Sequence, residues 1–131
     1  MTTAQRSIPS PVTNPENQEY FDACIEGTLL VGKCNACGEY HFYPRRICPH
    51  CFSDMVTWAP AKGTGTIYTY STMHRGVPVP YTIAYVTLDE GVSMMTNIVD
   101  FAPGTLNIGQ KVKVTFTPTE GGQPVPTFTP A

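Results

Sequence analysis

One stretch limits this chain more than any other: KCNACGEYHFYPRRICPHC, residues 33–51, sets Cys34, Cys37, Cys48 and Cys51 as two Cys-x-x-Cys pairs with ten residues between them. Each pair folds into a tight knuckle, and a hairpin between the knuckles brings four thiolates around one ion. The segment therefore has to fold as a ribbon about a metal. Gly38, directly behind the first pair, suits the positive φ that turns backbone amides toward sulfur, and Pro49 stiffens the second knuckle. Four thiolates complete a tetrahedron and leave no position for water or substrate, so a zinc ion held here would stabilise the fold and activate nothing.

Iron competes for the same site, because Cys-x-x-Cys-Gly followed by Cys-Pro-x-Cys also resembles the knuckles of rubredoxin. Thiol redox chemistry would need a βαβ context that the sequence lacks. His50 inside the second pair and His41 before it read as surface residues, since the thiolates already fill the tetrahedron.

Elements on either side of the ribbon follow from periodicity. Residues 1–13 are polar and Pro-containing and are expected to form a flexible tail. Asn14 can cap a helix with Pro15 at its first position, Tyr20, Phe21, Cys24 and Ile25 recur at helical spacing, and Gly27 stops it, which predicts a short helix within 14–28. Cys24 on that apolar face reads as a buried small hydrophobe and not as a nucleophile. Leu29 to Val31 lead into the ribbon and Val56 with Trp58 lead out of it, giving a metal module over 29–59.

From residue 60 to residue 131 the pattern has a period of two. Extended runs at Thr66–Met73, Tyr81–Leu88, Val92–Val99 and Lys111–Phe116 are separated by GVPVP, DEG and FAPGTLNIG, which carry turn residues. In the last run Val112, Val114 and Phe116 alternate with Lys111, Lys113 and Thr115, as a half-buried strand requires. A Pro-interrupted edge segment around Val125 and Phe128 brings the count to five, which suits a partly open five-stranded barrel of the OB type. The composition agrees: 41% hydrophobic, 14% charged, with 13 Pro and 11 Gly, a turn-rich and mostly β chain.

Charge and targeting signals narrow the function classes. A formal net charge of −2 argues against binding driven by nucleic-acid phosphates. No apolar run long enough for a membrane span and no signal-peptide pattern appear, so the expected setting is the cytoplasm, without a membrane partner, where paired thiols hold metal in preference to disulfides.

The segments EYFDACIEGTLL, KCNACGEYHFYPRRICPHC, SDMVTWAPAKGTGTIYTYSTMHR and PYTIAYVTLDEGVSMMTNIVD, spread over residues 16–130, closely resemble the rubredoxin-like zinc-ribbon/OB-fold family, long known as a domain of unknown function. The resemblance implies a short N-terminal helix, a zinc ribbon with Cys34, Cys37, Cys48 and Cys51 as metal ligands, and a C-terminal OB-fold. Members accompany acyl-CoA enzymes: thiolase-like enzymes, aldolases of sterol side-chain breakdown, and hotdog-fold hydratases. It thus implies an accessory subunit in a hetero-oligomer, and it supplies no catalytic residue.

Three basic residues are candidate contacts to a coenzyme A thioester. Arg45 and Arg46 follow Tyr43-Pro44 between the knuckles, and Arg75 follows His74 at the end of the first barrel strand. The alternatives are that the first two offset the negative thiolate centre and that Arg75 is plain surface. Tyr68, Tyr70, Tyr81 and Tyr85 could stack bases or pack a core or interface, and the apolar GVPVPYT loop marks a partner contact or a plug across the barrel mouth. Three readings result: a subunit supporting carbon–carbon bond cleavage or formation by a thiolase-like enzyme (or serving a hotdog-fold enoyl-CoA hydratase), a free acyl-CoA or nucleotide carrier, and a single-stranded nucleic-acid binder, the last opposed by the charge. No nucleophile elbow or phosphate loop supports an enzyme acting alone.

Overall fold

A computed structural model of the chain describes residues 7–43, 45–102 and 104–131. Residues 1–6 of the expected tail, Pro44 beside the arginine pair, and Pro103 in the FAPGTLNIG turn lie outside them. The helix α1 spans Gln18–Ile25 and starts later than Asn14 suggested. Asn14 closes a turn of its own, its side-chain oxygen accepting from the backbone N–H of Glu16 at 2.9 Å and of Asn17 at 3.0 Å. A short polar side chain next to proline satisfies its own backbone more readily than it starts a helix. Gly27, at φ +80, ends the helix as expected.

Tyr20, Phe21 and Cys24 form the buried face of α1, while Ile25 is 63% exposed and leaves the predicted stripe. Tyr20 sits at the centre of a ring cluster, 5.1 Å from Phe21, 5.7 Å from Phe42 and 6.4 Å from Trp58 between centroids. Aromatic pairs at these separations contribute beyond their buried area, so the cluster fastens the helix to the ribbon.

The ribbon is a three-stranded antiparallel sheet in the order β2-β1-β3, with β1 at Leu30–Cys34, β2 at Tyr40–His41 and β3 at Val56–Pro60. Gly32 at its centre opposes both His41 and Trp58. The His41 ring occupies the space a side chain at Gly32 would need, which explains the glycine at a position of ordinary φ.

The second part is a five-stranded barrel: β4 (Thr64–Met73), β5 (Tyr81–Leu88), β6 (Ser93–Ile98), β7 (Lys111–Pro118) and β8 (Pro124–Pro130), in the order β4-β5-β6-β8-β7. Here the expectation of a partly open barrel with an edge segment needs correction, because the barrel is closed. β4 bends from β5 onto β7, with Gly65 pairing with Leu88 on one side and Val112 on the other. A side chain at Gly65 would run into the Thr87 carbonyl, so glycine permits this crossing. Phe128 of β8 is fully buried with Ile67, Val86, Leu88, Met94, Ile98 and Val112 in the core, not at an edge.

The prolines mark the closing seam instead. The Phe128 carbonyl accepts from Val99 at 2.8 Å, so alternate residues Pro124, Pro126 and Pro130 also aim their backbone toward β6. Lacking N–H groups, they leave β8 a single bridge to β6, Ile98 with Phe128, while seven register pairs join β8 to β7.

The parts share one buried cluster that runs from Tyr20, Phe21, Leu30 and Val31 to Ile67, Val112 and Phe128, and hydrogen bonds join them too: Ala61 N–H donates to the Leu29 carbonyl at 2.8 Å, and the Gln123 amide donates to the Phe21 carbonyl at 3.0 Å. Of the segment expected as a tail, Ile8 accepts from the Glu120 N–H at 3.0 Å and the Ser10 hydroxyl lies 3.2 Å from that of Thr119, both at the β7–β8 turn. No helix among the described residues is long and apolar enough to cross a membrane.

Candidate functional site

The knuckles place the four cysteines as the spacing required. The sulfurs of Cys34, Cys37, Cys48 and Cys51 all lie within 4.8 Å of one another, with Cys34 and Cys51 at 3.6 Å and Cys37 and Cys48 at 3.7 Å. Four thiolates about 2.3 Å from a tetrahedral ion stand about 3.8 Å apart, so the cluster already has the size of a metal-centred one and is far too open for disulfides. Cys34 comes from β1 and the others from the turns that follow β2 and β1, with Gly38 at φ +78 behind the first pair.

Backbone amides are turned onto the sulfurs. Cys37 N–H points to Cys34 at 3.4 Å and His50 N–H to Cys48 at 3.3 Å. The Cys37 amide, more than anything else, holds the Cys34 thiol down at about 6. Cys37 behaves oppositely: the Glu39 amide pulls it down, but burial and the neighbouring sulfurs together push it up to about 12. Negative sulfurs this close repel one another, and a bound cation would offset that charge.

His50 is exposed and its Nε2 lies 3.2 Å from the Tyr40 carbonyl, a surface role as expected. Cys24 is buried, and burial pushes its thiol up to about 11, which suits packing and not nucleophilic attack. His41 departs from the expectation of a surface residue: it is only 3% exposed, and neither ring nitrogen has a hydrogen-bond partner. A single histidine between aromatics gives no sequence signal of that burial; the glycine opposite it was the available hint.

Arg45 and Arg46 are exposed on the ribbon loop, and Arg75 is exposed on the β4–β5 connection. Arg46 is fastened to the N-terminal segment: its backbone N–H donates to Glu16 at 3.2 Å and its guanidinium to the Pro15 carbonyl at 3.3 Å. In the GVPVPYT connector, Val77, Val79 and Tyr81 are half-buried while Gly76, Pro78 and Pro80 are exposed, so the loop alternates between packing and solvent.

A broader feature lies beside it. The outer face of β4, β5 and β6 exposes Met73, Ile83, Tyr85 and Met95, with Tyr85 opposite Met95 and Met73 opposite Tyr81 in register. These three strands contain no charged residue, whereas β7 sets Lys111 and Lys113 on its outer side. Tyr68 is also exposed, and the Tyr70 hydroxyl donates to the Leu106 carbonyl at 3.0 Å.

Comparison with known proteins agrees with this geometry. Residues 21–56 match the rubredoxin-like zinc ribbon domain of ChsH2 and residues 58–117 its C-terminal OB-fold domain. A DUF35 domain-containing scaffold protein of Methanocaldococcus jannaschii is 35% identical over 102 residues, covering 70% of this chain and 70% of that one. The chain belongs to the DUF35 family. A probable enoyl-CoA hydratase alpha subunit of Thermomonospora curvata is 33% identical over 94% of this chain, which spans only 40% of that relative's length. Among solved structures, the Ltp2-ChsH2(DUF35) aldolase aligns with a TM-score of 0.80 and 32% identity, covering 92% of this chain and 98% of that one. A DUF35 protein of Sulfolobus solfataricus shares the fold, with a TM-score of 0.66 at 16% identity.

Proposed function

We propose that this chain is a non-catalytic accessory subunit that docks on a thiolase-like acyl-CoA enzyme and supports carbon–carbon bond cleavage or formation by that enzyme. The observation that carries the reading is the outer face of β4, β5 and β6. An antiparallel sheet with one wet side ordinarily alternates apolar inside and polar or charged outside. This sheet puts Ile83, Tyr85, Met73 and Met95 outside with no charge among them, the signature of a surface that a protein partner covers. Family membership supports the role, since relatives are named as scaffold proteins and one was solved as part of an aldolase assembly.

In this reading the metal is zinc and structural. It locks the ribbon, the ribbon holds α1 through the Tyr20 ring cluster, and the joined surface meets the enzyme in the cytoplasm. Arg45, Arg46 and Arg75 supply charge-assisted contacts to the phosphates of a coenzyme A thioester held at that junction. A second reading, a hotdog-fold enoyl-CoA hydratase as the partner, is favoured by the Thermomonospora curvata relative.

Affinity purification of the tagged chain from its native cells, with mass spectrometry of stoichiometric companions, tests the proposal. The expected companion is a thiolase-like enzyme, and a hydratase in its place selects the second reading. Replacing Tyr85 and Met95 together by Glu should release the companion while metal content and thermal unfolding stay unchanged. A chain recovered alone, or a double variant that keeps its companion, overturns the docking face.

A further inference from the structure

The two knuckles repeat one backbone pattern. In the first, Cys34 N–H donates to the Glu39 carbonyl at 3.0 Å and Gly38 N–H to the Cys34 carbonyl at 2.8 Å. In the second, Cys48 N–H donates to the Ser53 carbonyl at 2.8 Å and Phe52 N–H to the Cys48 carbonyl at 2.9 Å. Phe52 thus takes the place of Gly38 and shares its left-handed backbone, φ +63 against φ +78. Nothing lies within 4 Å of where a side chain at Gly38 would begin, so glycine serves there for its backbone freedom alone. A bulky residue in that region is an outlier, because its Cβ crowds the following carbonyl.

The second knuckle carries this strain without gaining packing from it. Phe52 is 80% exposed, more than any other large apolar side chain described in the ribbon. It belongs neither to the buried cluster nor to the partly buried residues packed against it. Met55, three residues on, is exposed as well. An aromatic ring held in water on a strained backbone adds nothing to the fold of this chain, and backbone outliers gather where a second molecule uses the side chain.

The position of the knuckle selects that molecule. Pro49 and His50, from the same turn as Phe52, line one wall of an open cleft, and Gly91, Val92 and Ser93, where β6 begins, line the other. Two residues further along β6 stands Met95, opposite Tyr85 on the uncharged face. Knuckle and face therefore border one continuous surface. A second copy of the chain is a poor occupant, because a ribbon tip set on a neighbour's sheet is a head-to-tail contact, which grows filaments unless its rotation happens to close. We propose that Phe52 is an aromatic anchor that enters an apolar socket on the same enzyme that covers β4, β5 and β6. The inference rests on the accessory-subunit reading and adds a second point of attachment, at which the ribbon itself touches the partner.

The opposing demands of backbone and side chain supply the test. Phe52→Gly removes the ring and relieves the backbone at once, so the zinc-loaded variant should keep its metal and unfold no earlier than the wild type. Its affinity for the companion enzyme, purified after recovery with the tagged wild-type chain, should nevertheless fall by at least about tenfold in calorimetric titration. Phe52→Tyr, which keeps the ring and the strained backbone, should lose far less. Labelled methionine methyls give an independent readout: bound enzyme should shield Met55 and Met95 together from a soluble paramagnetic probe, with buried Met94 as the internal control. A Phe52→Gly chain that binds as tightly as the wild type, a Met55 methyl left open to the probe, or a variant that loses metal or unfolds earlier overturns the anchor and leaves the docking face in place. A change in self-association without a change in enzyme binding assigns the ring to a contact between copies and overturns it too. If the wild-type chain binds no enzyme, the anchor falls together with the accessory reading.

Discussion

Ribbon and barrel solve the problem of a small fold in opposite ways. The ribbon has three short strands and exposes Ile47, Phe52 and Met55, so its apolar groups cannot carry it, and four thiolates around an ion have to. The barrel needs no ion: Phe128, Ile67, Val86, Leu88 and Val112 fill its interior, and paired hydroxyls such as Thr72 with Thr82 and Thr117 with Thr127, each 2.8 Å apart, satisfy the polar groups buried beside them. The difference teaches that a few residues at fixed spacing can determine one half of a chain, while the other half depends on many weaker choices acting together.

Metal removal is the strongest way to break this contrast. Structural zinc contributes on the order of 10 kcal/mol to such modules, so chelation, or Cys37→Ser, should unfold the ribbon. The single tryptophan, Trp58, lies in β3 and reports that event by fluorescence, while the β signal of the barrel should survive in circular dichroism. Loss of both signals together would show one cooperative unit in which the barrel leans on the ribbon.

Phe128→Ala attacks the other half. It should cost about 3–5 kcal/mol in denaturant unfolding with metal binding intact, and a loss well under that range would mean that the proline seam lets the barrel collapse around the gap.

The smallest expected effect belongs to His41, where the two halves meet. Burial lowers its pKa, so the unfolded chain binds that proton more readily than the folded one. Stability contributed by the neutral ring is complete above the unfolded value of about 6.5 and is lost as the pH falls through it toward the lower folded value. Thermal unfolding of the wild type should therefore show a downward slope below that point, with metal content followed in parallel, and His41→Gln should flatten it. An unchanged slope in the variant would assign the acid sensitivity to the thiolates.

The ribbon was legible at once, because the spacing of Cys34, Cys37, Cys48 and Cys51 is itself a geometric statement, and the observed sulfur distances match it. Strand alternation in β7 was equally readable, since Val112 faces inward and Lys111 and Lys113 outward as their period of two requires. β8 was misread as an edge because Pro124, Pro126 and Pro130 speak against a central strand, and only the parity of their backbone direction shows that all three spare the β7 ladder. Asn14 misled for a local reason, a side chain with two possible backbone partners. His41 and Glu90 are 49 positions apart in sequence and become neighbours only when the ribbon is folded against the β5–β6 turn.

The proline seam also bears on aggregation. A cylinder of strands has no free edge until it opens, and this one has its fewest hydrogen bonds between β6 and β8. If it parts there, one of the two newly bared edges is already blunted, since a strand without N–H groups at three positions cannot template a stranger's backbone. The other edge, Ser93–Ile98, has no such protection, and a partner enzyme seated over Met95 would shield the neighbouring surface from which misassembly would begin.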